Sequence, residues 1–144
     1  MSYKHILVAV DLTDESRKLV EKATKLAKSL NAELSLIHVD VSFTETKAER
    51  IVARQLDKEQ GLDSLVMKNA QELLTSLKDG SDYPIKATLI SSGHIDDELE
   101  KAVQVHNIDL LICGHHQDFW HLFMSSAKKV MQHIGVDMLI VPFH

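Results

Sequence analysis

The sequence contains one cysteine, Cys113, among 144 residues. A single thiol can form neither an intrachain disulfide nor a cysteine-based zinc cluster, and it agrees with a reducing compartment. No apolar run approaches the roughly 20 residues that a membrane-spanning helix needs, and the first residues lack the apolar stretch of a signal peptide. We therefore expect a cytoplasmic protein with no membrane partner.

The chain also lacks a dominant charge, since 16 Lys and Arg stand against 21 Asp and Glu for a net charge of -5. This mild acidic excess gives no general attraction to nucleic acid, so no nucleic-acid partner is expected. Hydrophobic residues make up 44% and charged residues 26%, which is typical of a folded protein and excludes a disordered acidic tail. The length fits one domain, residues 1–144.

Common catalytic and phosphate-binding motifs are missing. The sequence has no P-loop, no Gly-x-Gly-x-x-Gly after a strand, no Gly-x-Ser-x-Gly elbow and no His-Glu-x-x-His pair. His115, His116 and His121 lie close together, but adjacent residues on an extended segment point apart and no cysteine or carboxylate stands at a familiar ligand spacing. We expect no metal, no cofactor and no enzymatic activity.

What the sequence does contain is an alternation of short apolar runs with longer stretches of helical period. This alternation predicts βαβ units and a mostly parallel sheet. Right-handed crossovers then favour a single-domain α/β fold with a doubly wound five-stranded sheet in the order 3-2-1-4-5 and helices on both faces. The predicted strands are residues 6–10, 34–39, 85–90, 108–113 and 138–141. Apolar residues of helical period over 19–30, 62–77 and 95–103 predict helices, the first with Thr13 as its N-cap and the second ending near Asp79 and Gly80.

The predicted topology locates a site without naming its ligand. Ligands of such sheets bind at the carboxyl ends of the strands, near the point where the strand order reverses. Asp11, Gly93 and Gly114 stand at such ends.

The last strand predicts a homodimer. In the order 3-2-1-4-5 it is an edge, and it has no charge to prevent pairing with another strand. Pairing across a two-fold axis uses the same patch twice and covers the edge. The predicted interface residues are Met138, Leu139, Ile140, Val141 and Pro142.

Four segments carry a resemblance to a known family. They are residues 3–11, 35–41, 109–120 and 136–142, and the third of them contains the run Gly-His-His-Gln-Asp-Phe-Trp. Together they resemble the universal stress protein family, A type, over nearly the whole chain. The resemblance implies the same fold, which is shared with adenine nucleotide hydrolases, a cytoplasmic homodimer and a role in surviving growth arrest or damage.

The nucleotide-binding branch of that family carries Gly-x-x-Gly-x9-Gly-Ser/Thr after the fourth strand, where glycines let backbone N–H groups approach phosphates. Here Gly114 is retained, but Gln117, Ala127 and Lys128 replace the other three elements. We expect a glutamine side chain to occupy the phosphate space and no tight ATP site to form. The leading hypothesis is therefore a stress-response protein that acts through contacts with an unknown protein partner.

The alternative is a nucleotide-binding member, for ATP or AMP, with a divergent phosphate loop. Asp11 corresponds to the position that contacts the adenine side in nucleotide-binding relatives. Ser125, Ser126 and Lys128 could hold a phosphate at a helix start. If the alternative holds, the cofactor-binding residues are Asp11, Val39, Gly93, Cys113, Gly114, Ser125, Ser126 and Lys128.

Overall fold

A computed structural model describes residues 3–10, 15–40, 62–92, 95–115 and 136–142. Strands and helices alternate along these ranges, as the sequence predicts. In chain order they are β1 (His5–Ala9), α1 (Glu15–Leu30), β2 (Glu33–Asp40), α2 (Leu62–Asp79), β3 (Ala87–Ser92), α3 (Ile95–His106), β4 (Leu110–His115) and β5 (Asp137–Pro142).

The strands form one parallel sheet in the order β3-β2-β1-β4-β5, which confirms the predicted topology. Strand β1 is central and pairs with β2 on one side and β4 on the other. The strand order therefore reverses between β1 and β4. The carboxyl ends of β1 and β4 lie side by side, at the position where ligands of doubly wound folds bind.

Helices cover both faces of β1, which explains its uninterrupted apolar sequence. Ile6 and Val8 pack on the face that α1 and α2 cover, in a cluster that also contains Leu19. Leu7 and Ala9 point the other way, into a second cluster with Leu99 of α3. Because alternate side chains enter different clusters, β1 joins the two halves of the core.

Two strands begin two residues later than the sequence predicts. β3 starts at Ala87 rather than residue 85, and β4 starts at Leu110 rather than residue 108. The apolar side chains of Ile85 and Ile108 are buried, so the sequence pattern includes them. The Ile108 N–H, however, donates to the Val103 carbonyl of α3 at 3.0 Å, so it belongs to a helix end and not to a strand ladder.

Helices α1 and α3 end in the same way. Asn31 and Asn107 follow their last residues with φ of 53° and 54°, in the left-handed region. The next residue then donates back to the carbonyl five positions earlier, Ala32 to Ala27 at 2.9 Å in α1 and Ile108 to Val103 in α3. This is the Schellman arrangement, which satisfies carbonyls that the helix leaves open.

A polar network closes the amino end of the sheet. The Asp109 carboxylate accepts hydrogen bonds from the backbone N–H groups of Lys4 at 2.8 Å and His5 at 3.0 Å. The His5 ring lies 2.8 Å from the His106 carbonyl through Nδ1 and 2.7 Å from Ser35 Oγ through Nε2. A carbonyl only accepts, so Nδ1 carries the hydrogen. The network joins β1, β2, the end of α3 and the residue that precedes β4.

The left-handed asparagines give a stability prediction. Asn31→Ala should lower the free energy of unfolding by about 1 kcal/mol, because a Cβ-bearing residue without a polar side chain is disfavoured at positive φ. Asn31→Gly should leave it unchanged or raise it slightly. Urea denaturation measures both variants.

Asn69→Ala is the matched control, since Asn69 is exposed within α2 and alanine favours a helix there. Equal losses in Asn31→Ala and Asn69→Ala would contradict the assigned role of Asn31.

Candidate functional site

The carboxyl ends of three adjacent strands form the candidate crevice. Near the end of β1, Ala9 is in register with Ile37 of β2 and Cys113 of β4. One residue further along β4, Gly114 is in register with Val141 of β5. The strand order reverses between β1 and β4, so a ligand-binding crevice is expected beside Cys113 and Gly114.

The structure places three of the sequence-predicted nucleotide-site residues at this end of the sheet. They are Val39 in β2 and Cys113 and Gly114 in β4. The other predicted positions lie outside the described residues: Asp11, Gly93, Ser125, Ser126 and Lys128.

The side chains of Val39 and Cys113 belong to the core and do not line an open surface. Val39 is 3% exposed and Cys113 0%, and both join the cluster that contains Leu99 of α3. Burial raises the pKa of the Cys113 thiol far above its ordinary value, because the thiolate loses its hydration. Any contact that these two residues make with a ligand would come from their backbone.

His38 is a residue at this end that the sequence analysis did not single out. Its ring lies on β2, is 8% exposed, and donates from Nδ1 to the Val10 carbonyl at 3.0 Å. The Val10 N–H in turn donates to the Ile37 carbonyl at 2.8 Å. These two bonds hold the residue after β1 against β2. The available sequence signal was a histidine between Ile37 and Val39, two apolar residues of β2.

At the opposite end of the sheet, Ser35 and His5 form a hydroxyl–imidazole pair like that of a nucleophile and its base. The Ser35 side chain is 0% exposed, and His5 is 4% exposed. A substrate cannot reach a hydroxyl that is enclosed on all sides. The pair is therefore a structural link between β1 and β2.

The predicted interface strand, β5, pairs with β4 and has no second neighbour among the described residues. Leu139 is 38% exposed, while Met138 and Ile140 are half-buried and Val141 is buried. The Tyr3 hydroxyl donates to Asp137 Oδ2 at 2.7 Å, and this bond, more than any other cause, raises the pKa of Tyr3. The start of β5 is thereby tied to the amino-terminal segment.

Clusters of metal-ligating side chains and membrane-spanning helices are both absent from the described part of the chain. No three or more His, Cys, Asp or Glu side chains within those ranges gather in a way that could hold a metal ion. No helix within them has both the length and the apolar character that crossing a bilayer requires.

Comparison with known proteins gives consistent results. A model of the universal stress protein family matches residues 2–142. The chain is 44% identical over 142 residues to universal stress protein A of Yersinia pestis, covering 99% of this chain and 93% of that protein. It is 19% identical to a universal stress protein solved in complex with cAMP, with a TM-score of 0.61 over 99% of this chain and 98% of the other. It is 23% identical to a universal stress protein from Lactobacillus plantarum, with a TM-score of 0.61 over 98% of this chain and 99% of the other.

The buried thiol gives a prediction about how closed this end of β4 is. Cys113 in the native protein at pH 8 should react with Ellman's reagent on the order of a hundredfold more slowly than in denaturant, because burial suppresses both access and thiolate formation. Absorbance of the released thiol product measures both rates. Fast stoichiometric labelling of the native protein would show that the end of β4 is open.

Proposed function

The chain belongs to the universal stress protein family, and we propose that it acts in the stress response as a cytoplasmic homodimer, through protein contacts, without catalysis and without tight ATP binding. Two features support this proposal. One is the apolar edge formed by β5, and the other is the replacement of the family's phosphate-binding glycines.

The edge carries the dimer part of the proposal. Residues 138–141 contain no charged side chain, and Leu139 is one of two large hydrophobic side chains exposed in the described part of the chain. The charge in β5 is confined to Asp137 at its start, and an edge whose other residues are uncharged readily pairs with another strand. A two-fold axis beside β5 would extend the sheet across both subunits and cover Leu139 in each of them.

The other edge of the sheet, β3, is the less favourable place for such pairing. Among the β3 residues whose burial is described, 87–91, Thr88 is the exposed one, while Leu89 and Ile90 are half-buried against the core. Burying a hydroxyl gains no hydrophobic free energy, whereas burying an exposed leucine does. The apolar surface therefore favours β5 over β3 as the contact.

The loss of glycines carries the nucleotide part of the proposal. Gly114 alone remains of the four-element motif, and Gln117, Ala127 and Lys128 stand at the other positions. Each glycine in such a loop lets backbone N–H groups approach a phosphate without a side chain between them. Gln117 and Ala127 stand at glycine positions, and Lys128 stands where the motif has a hydroxyl. These replacements leave few hydrogen-bond donors for a triphosphate.

Nucleotide binding is the second candidate function. It is supported by the relative of the same fold that was solved with cAMP, at 19% identity. The meeting of the β1 and β4 carboxyl ends beside Gly114 also supports it. A cyclic monophosphate carries one phosphate, so it would need fewer backbone donors than a triphosphate does.

The dimer is tested by substitution at the edge. Leu139→Arg should shift the protein from dimer to monomer at micromolar concentration, because it places two charges near the two-fold axis. Sedimentation velocity measures the shift. Val105→Arg is the matched control, since Val105 is the other exposed large hydrophobic residue, 66% exposed on α3. A monomeric wild-type protein, or equal effects of both variants, would contradict dimerisation through β5.

The absence of tight ATP binding is tested by calorimetry. Wild-type protein should give no measurable heat with Mg-ATP or with cAMP at micromolar concentration. A variant with Gln117→Gly, Ala127→Gly and Lys128→Ser should gain Mg-ATP binding, because it restores the family motif around Gly114. A micromolar dissociation constant for the wild type would establish the second candidate instead. A restored variant that still fails to bind would show that the glycines are not what limits binding.

A further inference from the structure

We propose that the exposed face of α1, together with the groove beside it, binds an acidic segment of a partner protein. The inference rests on the proposed action through protein contacts and adds where the partner binds and what its chemistry is. It is carried by the different charges of α1 and α3, by cations of α1 that have no carboxylate partner in the described part of the chain, and by the shape of the surface next to them.

Charge is unevenly distributed among the helices. Helix α1 carries five cationic side chains and two carboxylates, although the whole chain has a net charge of -5. Helix α3, on the other face of the sheet, has the opposite balance of four carboxylates and one lysine. The cationic residues of α1 are all exposed: Arg17, Lys18, Lys22, Lys25 and Lys28. They follow one face of the helix over about 16 Å.

Most of these cations have no partner in the described part of the chain. Lys28 pairs with Asp82 there, but Lys18, Lys22 and Lys25 have no carboxylate within 4.0 Å. Glu21 lies on the same face and is also without an ion pair among those residues. Like charges three or four positions apart on a helix repel. An external carboxylate would relieve that repulsion.

A groove of about 400 Å³ lies beside this face, between α1 and the turn that follows α2, and Lys18 and Lys22 stand outside its lining. Arg17, Lys25 and Lys28 line it from α1. One nitrogen of the Arg17 guanidinium donates to Ser76 Oγ at 2.8 Å, so the side chain is held across the two helices. A held guanidinium retains further donors in a planar fork, which matches a carboxylate.

The groove favours a protein segment over a nucleic acid. Glu21 and Asp82 line it together with the cations. A phosphodiester backbone is negative at every unit and would be repelled by both carboxylates. A polypeptide can place its acidic side chains against the lysines and its backbone N–H groups against Glu21 and Asp82. The mixed lining therefore matches an acidic peptide.

The probe is a fluorescein-labelled peptide of about eight residues in which glutamate alternates with serine, long enough when extended to follow the cationic face. Fluorescence anisotropy at about 20 mM salt reports its binding. The variant Lys18→Gln, Lys22→Gln, Lys25→Gln should bind the peptide about tenfold more weakly than wild type, because three exposed ion pairs are lost. An oligothymidylate of equal charge should bind wild type more weakly than the peptide does.

The matched control changes net charge by the same amount elsewhere. Lys68, Lys78 and Lys101 are exposed on α2 and α3, and their triple replacement by Gln should change peptide affinity less than twofold. Equal weakening by both triple variants, no peptide binding, or tighter binding of the oligothymidylate would each overturn the inference. Melting temperatures of both variants verify that they fold.

Two further measurements separate a specific site from general attraction. Arg17→Lys keeps the charge but loses the fork, so it should weaken peptide binding by about threefold. Amide chemical shifts of unmodified protein titrated with the peptide should change mainly in residues 17–28 and 80–82. Changes centred on α3, or an unaffected Arg17→Lys variant, would count against the groove.

The outcome is distinguishable from that of the proposed function. Sedimentation of the same samples reports the dimer independently of the peptide. A dimer that does not bind the peptide would remove this inference and leave the proposed function in place. A monomer that binds the peptide would remove the proposed dimer and leave this inference in place.

Discussion

The burial of β1 on both faces is the constraint on which the rest of the structure depends. Because Ile6, Leu7 and Val8 are all 0% exposed, the centre of the sheet has no place for an unpaired charge. The two histidines at the ends of this region, His5 and His38, are accommodated because each ring has a backbone carbonyl as its partner. In the described part of the chain, charged side chains consequently lie on the helices, in the connecting turns and at the ends of the strands, and these are the places where function can reside.

The same constraint explains how much of the fold could be predicted from the sequence. A strand buried on both faces is a continuous apolar run, and a helix covering it is amphipathic, so the element types follow from these two patterns. The strand order follows once right-handed crossovers are added. The starts of β3 and β4 did not follow. Ile85 and Ile108 are as apolar and buried as strand residues, and only the direction of the Ile108 N–H, toward α3, shows that it lies before the ladder. The partner of a backbone N–H cannot be read from the hydrophobic pattern of the sequence.

The location of the candidate site could be predicted from the sequence, but the side chains that line it could not. Strand ends are visible in a sequence, and the structure has Val39, Cys113 and Gly114 near the carboxyl ends of β2 and β4, while their role in binding a nucleotide stays a prediction. The face to which a strand side chain points follows from the alternation along the strand, but whether that face is covered depends on the helices that pack there. The packing of α3 puts Val39 and Cys113 in the core. His38 was missed for a related reason. Its hydrogen-bond partner, the Val10 carbonyl, is 28 residues away in the chain and is brought close only by the pairing of β1 and β2.

The two proposed contact surfaces, the groove beside α1 and the edge strand β5, lie toward opposite edges of the sheet. A partner could therefore bind the groove while the dimer is formed. The groove is bounded by the turn that leads from α2 toward β3, whereas the dimer edge is β5, at the opposite end of the strand order. Pairing through β5 therefore leaves the groove of each subunit uncovered. A dimer would present two equivalent cationic grooves, so a partner with two acidic segments could engage both. The second contact would then form at high effective concentration and could raise avidity about a hundredfold or more over a single groove. Weak exposed ion pairs, each of small value alone, would in that way be sufficient for a stable complex.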